Sequence, residues 1–586
     1  MQKRENKWWY VCVVLLIIAV FFLNGVKDTF DSSLQESAQD DGSSVQKVDI
    51  AKMQSVDETG MIEDTSVYDE DDPDSIVYFY VTVQKGDAGS DTDHTFAEVN
   101  SAVRFQEDTH VSNDIYARAI VQVGDENGPQ PGKLGYGAEK SNARIRVRGN
   151  SSSVREQKSY KLDLDDTAGL WRGQSNIALN KSVFDVTRIK NKLYFDMLKD
   201  VDNVPSIRTQ FVRLFIKDET SGQTAFEDYG LYTQAEVPGK KYLSNHGLNK
   251  EGYLYKAIAF NFEMSEGLKN FDDPDFDQEA YDQILSCKGR QDNEKLIELV
   301  EMINDRSVDI NEIIGTYIDR DNYITWLAYN ILTANIDTTE QNFYLYSPVN
   351  SKKWFFIPWD GDGMLHVKED EMEGMDESYG NWQHGVSNYW GVVLHQRFLK
   401  NESNRQELAD KVDELYETIN RDSVNALVAQ YNETVEPYVL SMPDGYYLDH
   451  TKKERDEILA GLGAEVDDAY QSFYDSLHEL MPFFQNPLEQ EGNSIRFSWS
   501  EAYDFDNEMI TYRLRVSRTP DMADPVIDQD GLTMAEYETT TDVLEPGTWY
   551  WAVTASTEDG RSSQAMDKIL VNDVYYPGVL VSEVQE

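Results

Sequence analysis

The chain has 586 residues, enough for several folded units, and its 106 acidic and 53 basic side chains give a formal net charge of −53 at pH 7. This excess of negative charge excludes nucleic acid and anionic lipid headgroups as partners for most of the surface. A basic partner protein fits it better, as does a well-solvated acidic surface without any partner.

The chain begins with an apolar run over residues 8–23 that follows three basic residues. Basic residues before an apolar segment are typical of a membrane anchor whose following chain lies outside the cell. We therefore predict an uncleaved signal anchor in residues 1–27 of a single-pass cell-membrane protein, with a cleaved signal peptide and a secreted protein as the alternative. Cys12 lies in this run, which leaves Cys287 without an intrachain disulfide partner. Residues 28–75, rich in Asp, Glu, Ser and Gln, predict a disordered acidic stalk.

Strand patterns begin at Ile76. Runs rich in β-branched and aromatic residues predict strands at 76–83, 116–123 and 143–147. Arg148 then enters a turn of sequence G-N-S-S-S, and Lys158 and Lys161 follow it, so this segment offers backbone N–H groups and cations to a phosphate. A hairpin with a basic face is the alternative. Because side chains alternate along a strand, Lys158 and Lys161 are predicted to point to opposite faces.

A helix is predicted to begin at Asp185, which can act as its N-cap. An apolar stripe at helical spacing consists of Ile189, Leu193 and Met197. Further strands are predicted at 211–216, 229–236 and 252–257. Glu236 ends the second of these, either as a cleft carboxylate or as an exposed terminus. Lys256 lies in the third, where a lysine usually needs an anionic partner.

An unusual group of polar residues interrupts apolar sequence in residues 335–364. It holds three carboxylates and two amides: Asp337, Asp360, Asp362, Gln341 and Asn342. The two apolar runs within it, read as a hairpin, would bring Asn342 and Asp360 to the same end. Such oxygen ligands suit a hard cation such as Mg²⁺, which binds one or two carboxylates together with substrate phosphates. The alternative is that Asp337 ends a helix and that 360–363 is an ordinary tight turn.

The pattern turns helical from about residue 290. A nearly all-apolar helix over 323–332 leads into the acidic group, and 403–432 and 451–480 predict two long amphipathic helices. Residues 366–390 form a mixed acidic and aromatic loop, long enough for a lid or a substrate surface. Past Pro487, alternating strands with frequent turn signals predict an antiparallel β-sandwich of fibronectin type III character, a spacer or adhesion module.

Several of these pieces together resemble the spore coat protein H (CotH) family of atypical protein kinases. They are R-I-R-V-R-G-N-S-S with K-S-Y-K-L, the helix bearing Arg188, Asn191 and Lys192, G-L-Y-T-Q-A-E, G-Y-L-Y-K, and N-I-D…Q-N-F-Y-L-Y…W-F-F-I-P-W-D-G-D. The resemblance implies an α+β fold. It comprises a bilobal protein-kinase-like domain over 76–485, followed by the fibronectin type III-like β-sandwich over 486–586.

The resemblance also implies that ATP and Mg²⁺ or Mn²⁺ bind between a β-rich lobe and a helical lobe. It gives Asp337 the role of accepting the proton of the substrate hydroxyl. Lys161 and Glu236 are the preferred pair of a phosphate-binding cation and its acidic partner. The implied metal ligands are Asn342, Asp360 and Asp362. The implied cofactor-binding residues are Arg148, Asn150, Lys158, Lys161, Lys256 and Trp359.

We therefore expect an exported, membrane-anchored CotH-like kinase that transfers the γ-phosphate of ATP to Ser or Thr of surface or coat proteins. The sequence has neither a G-x-G-x-x-G loop nor an H-R-D motif, so ordinary kinase motifs add no support. One alternative is a non-catalytic cell-surface binding or scaffold protein with a degenerate kinase-like domain. Another is metal-dependent hydrolysis of a surface glycan or phosphate ester, which is less favoured because no histidine accompanies the acids.

Overall fold

The structure is a computed structural model that describes residues 61–103, 105–106, 109–110, 114–373, 380, 382–572 and 574–585. These residues form a mixed α+β fold, in agreement with the predicted class. The predicted anchor and most of the predicted stalk lie outside them. In the part of the chain that is described, no helix is long and apolar enough to cross a membrane, a finding that contradicts the predicted single-pass membrane location.

Seven strands in the first half of the described region close into a β-barrel. They are β1 (Ile76–Gln84), β2 (Ala117–Asp125), β3 (Ala143–Arg148), β4 (Ser159–Leu164), β5 (Asn176–Asn180), β6 (Thr209–Asp218) and β7 (Glu227–Glu236). Their order is β1-β6-β7-β5-β4-β3-β2, and β2 pairs back onto β1. Only the β1–β6 pair among these seven strands is parallel. Alternate apolar residues such as Phe79, Val121 and Leu162 fill the interior.

The alternation that fills the barrel also places basic side chains on its outside. Val147 lies in the interior core, so its neighbours Arg146 and Arg148 point outward. Lys161 lies directly opposite Arg146 across the β3–β4 pair and therefore shares this outer face.

A smaller sheet and most of the helices form the second half of residues 76–485, the region that resembles the CotH family. Its strands are β8 (Tyr253–Ala257), β9 (Leu285–Cys287), β10 (Phe343–Ser347) and β11 (Phe355–Pro358), in the order β9-β8-β10-β11. The helices of the described chain are α1 (Phe96–Ser101), α2 (Lys190–Leu198), α3 (Lys240–Asn245), α4 (Gln278–Ile284), α5 (Glu294–Asn304), α6 (Ile310–Tyr317), α7 (Arg320–Leu332), α8 (Val367–Glu373), α9 (Val393–Leu399), α10 (Glu402–Thr418), α11 (Arg421–Val439), α12 (Asp444–Tyr447) and α13 (Lys452–Ser476). Helix α7 is buried along most of its length, and its Trp326 ring stacks on Phe356 of β11.

Three sequence predictions about the helices need correction. The helix expected from Asp185 begins at Lys190, because Asp185 accepts the N–H groups of Thr187 and Lys190 in a preceding turn. The single helix expected over 403–432 is two helices, since Asn420 forms a capping box that starts α11. The segment predicted as a loop over 366–390 contains α8, although its residues 374–379 and 381 lie outside the described chain.

The C-terminal region is rich in β-structure, as predicted. Its main strands are β12 (Glu489–Glu491), β13 (Ser494–Ser498), β14 (Ile510–Ser517), β15 (Ile527–Leu532), β16 (Glu536–Thr540), β17 (Gly547–Thr557) and β18 (Val579–Val584). One sheet has the order β12-β13-β16 and the other β15-β14-β17-β18. Phe497, Leu514 and Trp551 belong to the core between them. The fibronectin type III assignment and the domain boundary at 485/486 stay predictions.

Candidate functional site

The acidic group lies at one end of a β-hairpin. β10 and β11 pair from Phe343 with Pro358 to Tyr346 with Phe355, as the sequence predicted. The Trp359 N–H donates to the Asn342 carbonyl oxygen at 3.0 Å, so the chain leaves both strands at the same end. Asn342 and Asp360 both have positive φ, 58° and 55°. Left-handed backbone at non-glycine residues carries strain and is concentrated at functional sites.

Asp337 lies between the end of α7 and this hairpin and is held by two amides. Gln341 donates to Oδ1 at 2.5 Å and Asn342 donates to Oδ2 at 2.7 Å. The carboxylate remains open to solvent, but surrounding protein removes much of its hydration. That desolvation, with a contribution from the charge of Asp360, raises the pKa of Asp337 to about 6. A carboxylate with a raised pKa at an open position is suited to accept a proton.

Asp360 and Asp362 concentrate negative charge beside Asp337. Burial raises the pKa of Asp362 well above its usual value, and the nearby carboxylates of Asp360, Asp185 and Asp337 raise it further. The Asn191 amide donates to Asp360 Oδ1 at 3.3 Å. This crowding of carboxylates would be relieved by a cation, because opposite charge restores the ionised forms.

Gly361, between the two acids, is required by close packing. A Cβ atom at this position would lie 2.2 to 2.5 Å from atoms of Tyr194. At Gly363 the nearest atoms to such a Cβ, on Asn335 and Asp337, are 3.4 Å away. The D-G-D segment therefore packs directly against α2 and lies beside Asp337.

Two cations from different sheets approach the acids around Trp359. The Arg148 guanidinium, at the end of β3, lies 5.7 Å from the centroid of the Trp359 ring. Lys256 Nζ, from β8, lies 5.8 Å from it. Burial lowers the pKa of Arg148, whereas the charges of Asp360 and Asp362 oppose that change. The structure thus places Arg148 near both acids and Lys256 near the Trp359 ring, while their roles in cofactor binding stay predictions.

The predicted ion pair between Lys161 and Glu236 is wrong. Lys161 pairs with Asp163 at 3.0 Å, and Glu236 binds Arg208 at 2.6 and 2.8 Å. The register explains the difference: Lys161 is opposite Ala178, which is opposite Ala235. Because Glu236 follows Ala235, its side chain lies on the other face of the sheet.

The remaining predicted cofactor residues are engaged in the turn that follows β3. Lys158 Nζ donates to the Ser153 carbonyl oxygen at 2.7 Å. The carbonyl oxygen of Asn150 accepts from the Ser153 hydroxyl at 2.6 Å. These contacts stabilise the turn itself, and they leave Arg148 as the cation of this segment that is brought to the acids.

A buried ion pair joins the segment after the D-G-D motif to α2. Lys190 Nζ and Glu369 Oε2 are 2.5 Å apart, and both side chains are almost fully buried. Glu369 Oε1 also accepts the Val186 N–H at 2.7 Å. Glu465 accepts the N–H groups of Val367 and Lys368 at the start of α8. These contacts fix the segment that follows the acids against α2 and α13.

Asn191 and Asp185 have no predicted site role, yet Asn191 donates to Asp360 and the charge of Asp185 acts on Asp362. The sequence predicts Asn191 only as part of a helix that resembles the family, and Asp185 only as a helix N-cap. A sequence signal was available: polar residues opening an otherwise apolar helix. What was missing was the tertiary contact that places this helix start against Asp360.

The donor set fits a hard divalent cation that shares its coordination with phosphate. Among the described residues, no three His, Cys, Asp or Glu side chains are placed to hold a metal ion together. Asp360, Asp362 and Asn342 are the residues that would offer two carboxylates and one amide to such a cation. Mg²⁺ commonly takes one or two carboxylates and completes its shell with water and substrate oxygens.

Comparisons with known proteins give a family for this chain. The family described as "CotH kinase protein" matches residues 145–489. Inner spore coat protein H of Bacillus subtilis (strain 168) is 23% identical over 241 residues, which are 40% of this chain and 62% of that protein. The chain thus matches about three fifths of the length of this relative.

Two solved structures have limited similarity. One is the proinflammatory kinase CtkA of Helicobacter pylori, at 10% identity, 54% of this chain, 94% of that chain and a TM-score of 0.27. The other is the complex of HipA, HipB and operator DNA of Shewanella oneidensis MR-1. It has 9% identity and a TM-score of 0.24, and the match covers 61% of this chain and 75% of that chain. These TM-scores are too low to bear on function. The family match alone spans more than half of the chain, and the chain therefore belongs to the CotH kinase protein family.

Proposed function

We propose that the protein is a metal-dependent protein kinase that transfers the γ-phosphate of ATP to Ser or Thr of a partner protein. The observation that carries this proposal is the hydrogen bond between Asn342 and Asp337 beside Asp360. It supports the proposal because Asp337, whose pKa is raised to about 6, would accept a proton beside the acids that would hold a divalent cation. Phosphoryl transfer needs mainly positioning and charge neutralisation, and this arrangement supplies both.

Each residue has a distinct role in this proposal. Asp337 accepts the proton of the substrate hydroxyl, and Gln341 and Asn342 orient its carboxylate. Asp360, Asp362 and Asn342 would hold Mg²⁺ or Mn²⁺, which neutralises phosphate charge when bound. Arg148 and Lys256 supply positive charge to the phosphates from the two sheets. Asn191 fixes Asp360 by donating to it.

The substrate we propose is a protein of a spore coat or cell surface, with basic segments near the phosphorylated residue. The curated relative is an inner spore coat protein. The charge of −53 gives this chain a surface that attracts basic segments and repels acidic ones.

A second candidate is a non-catalytic binding or scaffold protein. The observation in its favour is that Lys161 and Glu236 are engaged with other partners, so the lysine–glutamate pair expected of an active kinase is not made by these residues. The two candidates differ in whether phosphate is transferred to protein.

Labelling of casein-like and basic test proteins by γ-³²P-ATP with Mg²⁺ or Mn²⁺ tests the proposal. We expect labelling by the wild-type chain, none by Asp337→Asn or Asp360→Asn, and undiminished labelling by Asp530→Asn, an exposed acid of the C-terminal region. A metal-dependent rise in melting temperature with ATP should persist in Asp337→Asn and disappear in Asp360→Asn. A rise in melting temperature without labelling by any variant would instead support the binding protein.

A further inference from the structure

The C-terminal β-sandwich contains a cavity that the proposed kinase reaction does not use. Its volume is about 180 Å³. Its walls are the sheet that contains β14 and β17, the loop 520–522, and the hairpin of strands Lys568–Val571 and Val574–Pro577. At ~30 Å³ per water molecule it has room for roughly six waters, about the size of one substituted six-membered ring.

Strand register builds the floor of this cavity from outward-facing residues. Arg515 pairs with Ala552, and Ala552 pairs with Val579, so the three share one face. Thr554 and Gln564 form the next pair on that face. The small side chain of Ala552 keeps the floor open between a guanidinium on one side and two hydrogen-bonding groups on the other.

Arg515 supplies the positive charge of the cavity lining, and Asp521 is the acid of that lining. Asp528, whose charge interacts with Arg515, already pairs with Arg513 through two bonds of 2.7 Å. Lys568 is buried in the hairpin wall, opposite the cavity-lining Pro577. Within the described residues its Nζ has no hydrogen-bond partner, and burial lowers the pKa of Lys568 to about 8. Its Nζ lies 5.5 Å from the centroid of the Tyr575 ring, and Lys568 does not itself line the cavity, so Arg515 is the cation that an anionic ligand would reach.

The remaining lining residues suit a sugar ring. Tyr575 and Tyr576, both half-buried, contribute aromatic surface, and the hydroxyl of Tyr575 is buried. Asp521 also lines the cavity, and its Oδ1 is engaged by the Thr519 hydroxyl and the Ala523 N–H. Its other oxygen can accept a ligand hydroxyl. An aromatic wall with a few convergent polar groups is typical of a small-molecule site.

We propose that this cavity binds a sugar that carries an anionic group, with the ring against Tyr576 and the anion on Arg515. A carboxylate and a phosphate have the same chemistry towards a guanidinium, since both accept two parallel N–H bonds. The proposal does not depend on the kinase reaction, because none of these residues belongs to the acidic site.

Calorimetric titration of the full chain with glucuronate, glucose 6-phosphate, glucose and inorganic phosphate tests it. We expect saturable binding of at least one of the two anionic sugars, and binding at least about tenfold weaker for glucose and for phosphate alone. The preferred sugar then identifies the anion as carboxylate or phosphate. Equal binding of glucose, equal binding of phosphate, or no saturable binding of either anionic sugar would overturn the proposal.

Two matched variants locate the site. Arg515→Ala should weaken binding of the preferred sugar at least about tenfold. Arg496→Ala removes an exposed arginine of the other sheet, which is paired with Glu489 and Glu536 and lies outside the cavity, and should leave the affinity unchanged. Equal losses in the two variants would contradict the assignment. Tyr576→Ala, with folding checked by its melting temperature, should weaken binding of the preferred sugar without changing any residual binding of phosphate.

Discussion

Asn342 Nδ2 lies 2.7 Å from Asp337 Oδ2. Asn342 also directly precedes β10, which pairs with β11, the strand that leads into the D-G-D motif. One amide therefore connects the proposed proton acceptor with the proposed metal ligands. Its second bond, at 3.1 Å to the Asp337 carbonyl oxygen, fixes the side chain further and leaves its own side-chain oxygen free of these contacts.

Asn342→Ala should lower the rate of phosphoryl transfer by about 10- to 100-fold, because it removes both the bond to Asp337 and a metal ligand. Gln341→Ala is the matched control, since it removes the other bond to Asp337 but no proposed ligand. Initial rates at several Mn²⁺ concentrations measure both effects. Only Asn342→Ala should require more metal, and an equal metal requirement in both variants would argue against the ligand role.

Arg148→Ala should weaken metal–nucleotide binding at least about tenfold, because this guanidinium lies beside the acids and Trp359. Lys161→Ala changes a cation on the same outer face of the barrel that is paired with Asp163. We expect it to bind nucleotide like the wild type. The shift in melting temperature with ATP and Mn²⁺ measures both, and the reverse ranking would restore the role first implied for Lys161.

Gly361→Ala should destabilise the fold by roughly 1–3 kcal/mol, because the new methyl group would overlap the Tyr194 side chain. Gly363→Ala meets its nearest atoms at 3.4 Å and should cost less. Denaturant unfolding measures the difference. If both substitutions cost the same, the D-G-D segment does not pack on Tyr194 as described.

Lys190→Met should destabilise by about 3–5 kcal/mol, because it leaves the Glu369 carboxylate buried without its cation. The double variant Lys190→Met with Glu369→Met should recover much of that loss, since no unpaired charge remains. Unfolding free energies of the two single variants and the double variant test this coupling. Additive losses would show that the pair is not coupled.

His246 should make stability fall as the pH rises. Its two ring nitrogens contact Glu63 and Glu236, and only the protonated ring can donate to both. These carboxylates raise the pKa of His246 above its usual 6.5 against the opposing effect of burial. A raised folded pKa means that this contribution is complete below about pH 6.5 and is lost as the pH passes the folded value.

Glu236 acts in the opposite direction at low pH. Hydrogen bonds from Arg208 and His246 outweigh burial and lower its pKa from 4.5 to about 2. Its contribution, on the order of 3 kcal/mol, is present above pH 4.5 and lost as the pH falls towards 2. Melting temperatures of wild type and His246→Gln between pH 5 and 9 test the alkaline side of this pair of effects. The difference in melting temperature between wild type and variant should be largest at the acidic end of that range. Parallel curves of melting temperature against pH would contradict the linkage.

Local sequence patterns determined the parts of the site that lie close together in the chain. The hairpin that joins Asn342 to Asp360, the buried helix before Asp337 and the strand that carries Arg148 all follow from short-range periodicity and turn residues. The family resemblance rested on the same local pieces, and the family match confirmed it.

Only the tertiary structure decided which distant residues face one another. Period-two alternation says that neighbours in a strand point to opposite faces, but cross-strand register decides which residues of different strands share a face. That register separated Lys161 from Glu236 and brought Arg148 to the acids. The packing of α2 against the D-G-D segment likewise placed Asn191 on Asp360, a contact between residues 169 positions apart that no local pattern encodes.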